Sequence, residues 1–291
     1  MAETGLNMIT FHSTDEKIWL SQLVNEYESL SRITVNDYDQ ITFDESIDVK
    51  NIKPLHIVTL ACLIHHLSQL GHSVLISPRH KGLFDYIYND LGFFEYFGGG
   101  KNHVETRMSS HIFNLWRIIE EEKDVYAKNI ENYFQRKYFQ DKDLSVISLC
   151  LVEAYYNVFD HADANGNAFS IIQYDESVGR LYVAISDFGI GIAQSVRRFN
   201  KNISSDSDAI KMAIEDRFTV GSTKRNRGMG LGNILSSADK AIVISNHGMA
   251  HKKDGSIKTF ELDFTYPGTL LCFEMDLSTM ENREIMDEFN I

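Results

Sequence analysis

The stretch that decides the fold of this chain is LCLVEAYYNVFDHAD, residues 149–163. Its apolar residues recur at helical spacing, which predicts an amphipathic helix. Glu153, Asn157 and His161 fall four residues apart, so one face of that helix carries all three side chains. We therefore expect a helix with one apolar side, and we expect its polar side to form the wall of a ligand pocket.

The first glycine turn lies in RLYVAISDFGIGI, residues 180–192. Asp187 stands at the end of a predicted strand, and Gly189 and Gly191 allow a tight turn that aims its carboxylate at a ligand. Such a carboxylate accepts a hydrogen bond from the amino group of adenine, which an apolar pocket alone discriminates poorly. The alternative is an aspartate that caps a turn, beside glycines chosen for their backbone freedom.

The second glycine turn lies in KRNRGMGLGNI, residues 224–234, and opens another predicted helix. The free backbone N–H groups and the dipole of a helix start suit an anion. Its glycines are Gly228, Gly230 and Gly232, and the cations before them are Lys224, Arg225 and Arg227. One or two of these cations, Lys224 among them, are expected to contact phosphate, although a solvated basic loop is the alternative.

The helix face offers the two side chains that chemistry on ATP requires, a metal ligand and a group that activates the nucleophile. Asn157 provides a neutral oxygen ligand for Mg²⁺, and Glu153, one helical turn earlier, can orient or deprotonate a water or a hydroxyl. The alternative is that both side chains simply face solvent. The two glycine turns favour the first interpretation, because they supply the remaining parts of a nucleotide site.

Composition restricts the class of protein. The 291 residues fit one large or two ordinary domains, and a net charge of -13 without a long basic tract disfavours DNA or RNA as the main ligand. The sequence shows neither a membrane-spanning apolar run nor a signal peptide, so a cytoplasmic location is expected. The three cysteines lie in separate apolar runs, as buried thiols do. His247 and His251 have no third ligand beside them and are expected to be surface histidines.

The first hundred residues predict a small α/β domain, because parallel strands require helical crossovers. The predicted strands are Met8–Phe11, 41–46 and 72–78, and helices are predicted at Glu16–Leu30 and 54–71. Residues 82–97 predict a further helix, followed by a glycine stop and an aromatic tail. GGGKN (98–102) marks the expected domain boundary. The helical periodicity of 109–139 predicts a connecting helix, a dimer helix or the first helices of the second domain.

Residues 40–98 resemble the STAS family, the fold of the anti-sigma-factor antagonists, through ITFDES, LGHSVLIS and LGFFEYF. In signalling members of that family, a serine or threonine at the start of the long helix accepts phosphate. Here that stretch reads KPLH (53–56), and the first hydroxyl comes at Thr59. The resemblance therefore implies a docking or dimerisation unit that is not phosphorylated.

The ordered set of Glu153 and Asn157, then DFGIG, then RGMGLG resembles the GHKL ATPase superfamily over residues 142–280. That superfamily includes gyrase, histidine kinases, MutL and the anti-sigma-factor serine kinases. The resemblance implies an α/β sandwich with one mixed, mostly antiparallel sheet covered by helices on one face. It makes ATP and Mg²⁺ the expected ligands and residues 193–227 a lid that orders on ATP binding. By position it assigns Asn157 to Mg²⁺, Asp187 to adenine, Gly189 and Gly191 to the turn beneath the base, Gly228, Gly230 and Gly232 to the phosphate side of the lid, and Thr269 to a water bridge behind Asp187.

The expected organisation is an N-terminal STAS-like docking domain (1–100), a connecting helical segment (101–141) and a GHKL ATP-binding domain (142–291). Among functions, a serine kinase of the anti-sigma type fits best, and it would hydrolyse ATP or phosphorylate a regulatory protein partner. A STAS-type protein is the candidate partner. A homodimer is compatible with this function. A histidine kinase is disfavoured because His65 and His66 lack the acidic residue that usually follows the acceptor. A gyrase- or MutL-like dimerisation ATPase would carry a transducer domain after the ATP site. The alternative from another class is a non-catalytic ATP-dependent switch that presents a surface to a partner.

Overall fold

The computed structural model describes residues 6–32, 38–93, 112–215 and 230–282, and it contains two β-sheets with helices between and beside them. The strands are β1 (Leu6–Phe11), β2 (Tyr38–Phe43), β3 (Ser73–Ile76), β4 (Ile112–Arg117), β5 (Ala168–Asp175), β6 (Arg180–Asp187), β7 (Lys240–Lys253) and β8 (Ser256–Asp276). The helices are α1 (Glu16–Leu30), α2 (Pro54–Gln69), α3 (Lys81–Asp85), α4 (Lys123–Lys137), α5 (Ser145–His161), α6 (Gly191–Arg197), α7 (Asp206–Ile214) and α8 (Gly230–Ser237). The α/β class expected from the sequence is confirmed.

The first sheet has three parallel strands in the order β1, β2, β3. The helices α1 and α2 are the crossovers that parallel pairing requires. The helix predicted at Glu16–Leu30 is confirmed, and the side chain of Asp15 caps its start. β2 ends at Phe43 rather than at residue 46, because Asp44 accepts hydrogen bonds from the backbone and hydroxyl groups of Ser46 and turns the chain.

The second sheet has five strands in the order β4, β5, β6, β8, β7, and every pairing that the structure describes in it is antiparallel. The expectation of a mixed sheet is therefore wrong. β5 with β6 and β7 with β8 form hairpins, which only antiparallel strands allow. The helices α4, α5 and α8 pack on one face of this sheet, against a buried row that includes Leu181, Val183 and Ile185 of β6.

The opposite face of the second sheet is covered too, by α2 and part of α1, so the expectation of helices on one face only is wrong. The helix α2 is buried nearly all round, as a helix that is apolar on every side must be. On one side, Trp19 Nε1 donates to the buried Thr59 hydroxyl at 3.0 Å; on the other, the Cys62 thiol donates to Ser186 at 3.4 Å. The N-terminal unit, residues 6–93, therefore shares a hydrophobic core with the second sheet.

Residues 112–117 form β4, so the helix predicted over 109–139 is wrong for that part. Leu115 and Trp116 pack into clusters on opposite faces of the second sheet, as neighbouring residues of a strand do. The Trp116 ring stacks on Tyr126 with 3.9 Å between ring centroids, which ties β4 to α4. The pairing of β4 with β5 places this segment in the second sheet, and the helical part of the prediction is confirmed in α4.

The helix predicted in the first part of 82–97 begins as α3 and continues as a π-helical turn, Tyr86–Asp90. The last residues of the predicted aromatic tail and the predicted boundary at 98–102 lie outside the described residues. Thr59, the first hydroxyl of α2, is buried and donates to the Leu55 carbonyl oxygen at 2.8 Å, so it is not presented to a kinase. In the part of the chain that the structure describes, no helix combines the length and the apolar character needed to cross a membrane.

Candidate functional site

The polar face of α5 is the first part of the site. Ile147, Leu151 and Tyr155 anchor the helix to the sheet, so Glu153 and Asn157 lie on its other side. Glu153 is partly buried, and its Oε2 has no hydrogen-bond partner among the described residues. Burial raises the pKa of this carboxyl. A partly desolvated carboxylate without a partner is a ready acceptor for a proton or a cation.

The start of α8 lies against this face. A Cβ atom built on Gly230 would lie 3.2 Å from Glu153 Oε2 and 3.5 Å from Asn157 Oδ1. The structure therefore brings these three residues together, and Gly232 follows in the first turn of the same helix. The predicted phosphate-side residues outside the described part of the chain are Lys224 and Gly228.

Asp187 ends β6 with a buried carboxyl group. Its Oδ1 accepts a hydrogen bond from the backbone N–H of Gly189 at 3.0 Å, and its cross-strand partner on β8 is Thr269. Burial raises the pKa of Asp187 to about 7, although the backbone N–H groups of Gly189 and Thr269 favour the ionised form. Near neutral pH this carboxyl occurs in both protonation states, so it can either accept or donate a hydrogen bond.

The DFGIG turn rests on the C-terminal end of α5. The backbone N–H of Ile190 donates to the Ala162 carbonyl oxygen at 2.7 Å, and a Cβ on Gly189 would lie 2.0 Å from that oxygen. Gly191 has a φ of +79°, and a Cβ there would lie 2.4 Å from Asn246 Oδ1. Only glycine fits both positions. The helix α5 thus contacts both glycine turns, one near its middle and the other at its end.

Two residues that sequence reasoning missed complete this end of the site. Gly268 has a φ of +110°, and a Cβ there would lie 2.2 Å from the Asp187 carbonyl oxygen. Ser245 Oγ donates to the Gly268 carbonyl at 2.8 Å, accepts from the Ile192 N–H at 2.7 Å and lies 3.3 Å from Thr269 Oγ1. The Pro-Gly pair before Thr269 is a local signal for a bend. No local signal marks Ser245, because its contacts arise from the pairing of β7 with β8.

The first part of the predicted lid, 193–227, contains α7 and most of α6. The Asp206 carboxylate lies 2.6 Å from the Arg197 guanidinium and accepts a hydrogen bond from the His247 backbone at 2.9 Å. A Cβ on Gly248 would lie 2.7 Å from the Asp206 carbonyl, so the hairpin of β7 and β8 lies directly against α7. Residues 216–227 of the predicted lid lie outside the described residues. The described chain resumes at Gly230, where α8 begins.

The N-terminal unit reaches the DFGIG turn from the opposite face of the sheet. The Phe188 ring meets Tyr27 of α1 edge-on, with 5.3 Å between ring centroids. Asn167 Nδ2 donates to the Cys62 carbonyl of α2 at 3.1 Å, and the Asn167 carbonyl accepts the Phe188 N–H at 3.0 Å. One buried residue therefore connects α2 to the turn that follows Asp187, through its side chain on one side and its backbone carbonyl on the other.

The histidines singled out in the sequence have ordinary environments. His161 is partly buried, and burial lowers its pKa. His247 Nε2 lies 2.8 Å from Thr265 Oγ1 on the hairpin. Within the described ranges, no group of three or more His, Cys, Asp or Glu side chains is arranged to hold a metal ion.

A scan against protein-family models finds no match, and a search of curated proteins finds none either. The geometry of the site and the chemistry of its residues therefore carry the functional assignment.

Proposed function

We propose that this chain is an ATP- and Mg²⁺-binding regulatory protein of the GHKL type, which hydrolyses ATP or transfers its phosphate to a protein partner, as an anti-sigma-factor serine kinase does. The observation that carries this proposal is the position of α5 between the two glycine turns. Gly230 lies at Glu153 and Asn157, and the turn after Asp187 rests on Ala162. Asn157 and Ala162 are five residues apart, or about 7.5 Å along the helix axis. A ligand that reaches from one turn to the other therefore runs alongside α5.

The residues at the Glu153 end fit phosphates and a divalent cation. Asn157 supplies a neutral oxygen, and Mg²⁺ takes few protein ligands and keeps several waters, so this one side-chain oxygen suits it. The unpartnered Oε2 of Glu153, one helical turn away, stays available to a water or a hydroxyl. When bound, Mg²⁺ would neutralise charge on the phosphates. The N-terminus of α8 at Gly230 adds backbone N–H groups and the positive end of a helix dipole.

The residues at the Asp187 end fit an adenine base. Asp187 would accept a hydrogen bond from the exocyclic amino group, and the glycines of the DFGIG turn would let the backbone approach the ring.

At the other end, Glu153 would take a proton from the attacking water or hydroxyl, and its raised pKa makes it a better base than an exposed carboxylate. Glu153 is thus the proposed catalytic residue, and Asp187 sets the specificity for the base.

The substitution Glu153→Gln tests the enzymatic part of the proposal. ATP binding should persist, whereas phosphate release or phosphotransfer should fall by about 10²–10⁴-fold, the usual contribution of a general base. The matched control is Asp160→Asn, which removes a carboxylate from an exposed position of the same helix and should leave turnover unchanged. Turnover should be measured alone and with any STAS-type protein that co-purifies with the chain.

The possible results separate the parts of the proposal. A protein that does not bind ATP contradicts the proposal as a whole. A protein that binds ATP but shows no turnover, alone or with a co-purified partner, contradicts the enzymatic part and favours the non-catalytic switch. Normal turnover in Glu153→Gln would remove Glu153 from the catalytic role while leaving the ATP site intact.

A further inference from the structure

The second sheet is only partly covered on the side of the N-terminal unit. One row of side chains across its strands lies under α2, and Leu270 and Ile244 in that row are 1% and 4% exposed. Two residues further along the strands, the parallel row that contains Ala184, Cys272 and Ile242 borders a cleft. Cys272 and Ile242 are partly exposed there, which leaves an apolar strip of the sheet without a covering helix.

This cleft is large enough for a small molecule. Its volume is about 680 Å³, and small-molecule sites typically measure about 300–1,000 Å³. The sheet forms its floor, and its wall consists of the turn Val49–Asn51 and the start of α2, where Pro54 and Leu55 add apolar surface. The deep part of the cleft is therefore apolar on two sides.

The mouth of the cleft is polar, and its carboxylates already have partners. Glu16 lies 2.7 Å from Lys53, and Glu274 lies 3.2 Å from Lys240. Asp175 and Arg180 also line the cleft; the Asp175 carboxylate accepts from the Ser177 backbone at 2.9 Å, and the Arg180 guanidinium lies 3.5 Å from Glu274. Among the described residues, Lys50 has no ion pair, so its ammonium group is the lining cation that remains open to an anionic ligand.

Two neutral donors stand beside the apolar floor. Gln173 and Tyr182 are direct cross-strand neighbours on β5 and β6, and both line the cleft. Among the described residues, neither the Gln173 amide nor the Tyr182 hydroxyl makes a hydrogen bond, so both are available to a ligand. Together with the Lys50 ammonium group they form a set of donors suited to an anionic group.

We propose that this cleft binds a small amphipathic organic anion. Its apolar body would lie on the partly exposed strip of Cys272 and Ile242, and its anionic group would meet Lys50, Tyr182 and Gln173. The site lies on the face of the sheet opposite α5, so it is separate from the candidate ATP site and does not depend on the function proposed above.

The test uses anilinonaphthalene sulfonate, an aromatic anion whose fluorescence increases in apolar surroundings, with the full chain. We expect saturable binding of one probe molecule per chain. Ile242→Glu places a carboxylate on the apolar floor of the cleft and should weaken binding by about tenfold or more, and Lys50→Glu should weaken it by about fivefold. Lys50 is exposed, so its substitution needs no repacking and decides the question even where Ile242→Glu impairs folding.

Two controls locate the bound probe. Lys201→Glu makes the same charge reversal at an exposed position outside the cleft and should leave binding unchanged. Asp187→Asn alters the candidate ATP site and should leave it unchanged too. In addition, bound probe should slow the labelling of the partly exposed Cys272 by iodoacetamide, measured at alkaline pH because burial raises the pKa of this thiol.

Weaker binding in both cleft variants, with protection of Cys272, supports the proposal. Equal binding in wild type and Lys50→Glu, or labelling of Cys272 that saturating probe does not slow, overturns it. Loss of probe binding in Asp187→Asn with retention in Lys50→Glu overturns it as well, since the probe then occupies the other site.

Discussion

The two ends of the candidate ATP site are built differently. At the base end, around Asp187, backbone contacts define the turn, and a Cβ on Gly268 would approach the Asp187 carbonyl oxygen to 2.2 Å. At the phosphate end, a Cβ on Gly230 would meet side-chain atoms, the nearest being Glu153 Oε2 at 3.2 Å and Asn157 Oδ1 at 3.5 Å. The Glu153 oxygen has no hydrogen-bond partner in the described part of the chain.

This difference indicates that the base end is part of the fold itself, whereas the phosphate end can adapt to a ligand. Backbone groups held by sheet pairing move only if the sheet moves, but a carboxylate at the end of a flexible side chain can rotate. Substitutions at the base end should therefore lower the free energy of unfolding. Substitutions at the phosphate end should change activity with little change in stability.

Gly268→Ala should have the largest effect on stability. The residue has a φ of +110°, and the new methyl group would meet the Asp187 carbonyl oxygen at 2.2 Å and the Gly189 nitrogen at 2.5 Å. Both atoms belong to the backbone of the turn and cannot yield without moving it. We expect the free energy of unfolding to fall by about 3–5 kcal/mol, measured by urea denaturation.

Two matched glycines show whether this loss is specific to the base end. Gly230→Ala makes the same change at the phosphate end, where the Glu153 side chain can give way, and should cost little stability. Gly255 has a φ of +73°, and nothing lies within 4 Å of a Cβ added there. Gly255→Ala therefore isolates the cost of backbone strain, which should lower the free energy of unfolding by about 1–2 kcal/mol. A loss in Gly230→Ala as large as that in Gly268→Ala would contradict the contrast between the two ends.

Asp187 should make the stability of the protein depend on pH. Burial raises its pKa to about 7 in the folded chain, whereas an aspartate in an unfolded chain has a pKa of about 3.9. Between these values the folded state holds more protons than the unfolded state. The contribution of Asp187 to the free energy of unfolding therefore falls as pH rises through this window, by up to roughly 1.4 kcal/mol per pH unit, and it is fully present only below the unfolded pKa.

Asp187→Asn should remove this contribution, because an amide does not titrate, and should leave the rise in stability with pH that buried His56 adds, since burial lowers the pKa of His56 to about 4. Denaturation midpoints measured from about pH 4 to about pH 8 check the expectation. A smaller dependence should remain from Glu153 at the phosphate end, whose pKa burial also raises. Asp160→Asn, at an exposed position of α5, should keep the wild-type dependence. A wild-type slope that persists in Asp187→Asn would assign the titration to another group.

The sequence predicted the parts of the fold that have strong local signals. The helix of Glu153 and Asn157 follows from apolar spacing, and the turn after Asp187 follows from glycines at the end of a strand pattern. The strand β4 was missed, because a register shift between Phe113 and Trp116 interrupts the alternation that would have shown it. A bulge of this kind makes a strand resemble one face of a helix.

The shared core was beyond what the sequence could predict. The pattern of α2 indicates a helix that is buried nearly all round, but it does not state which surfaces bury it. Its contact with Ser186 of β6 joins residues far apart in the chain, through the Cys62 thiol. Gly268 and Ser245 were missed for the same reason, since their contacts with the turn exist only once β7, β8 and β6 have paired.

Asn167→Ala tests whether the base end depends on the N-terminal unit, and its expected effect is the smallest. It breaks the 3.1 Å hydrogen bond to the Cys62 carbonyl but keeps the backbone carbonyl that accepts the Phe188 N–H. Such a bond contributes about 1 kcal/mol, so the turn should be held less firmly and ATP affinity should fall about fivefold, measured by titration calorimetry. The matched control is Gln69→Ala. It removes an exposed 3.3 Å hydrogen bond from α2, the helix of Cys62, to the Asn165 carbonyl, and it should leave the affinity unchanged. Equal affinities in Asn167→Ala and wild type would mean that sheet pairing alone fixes the base end, and that the N-terminal unit covers the second sheet without acting on the nucleotide.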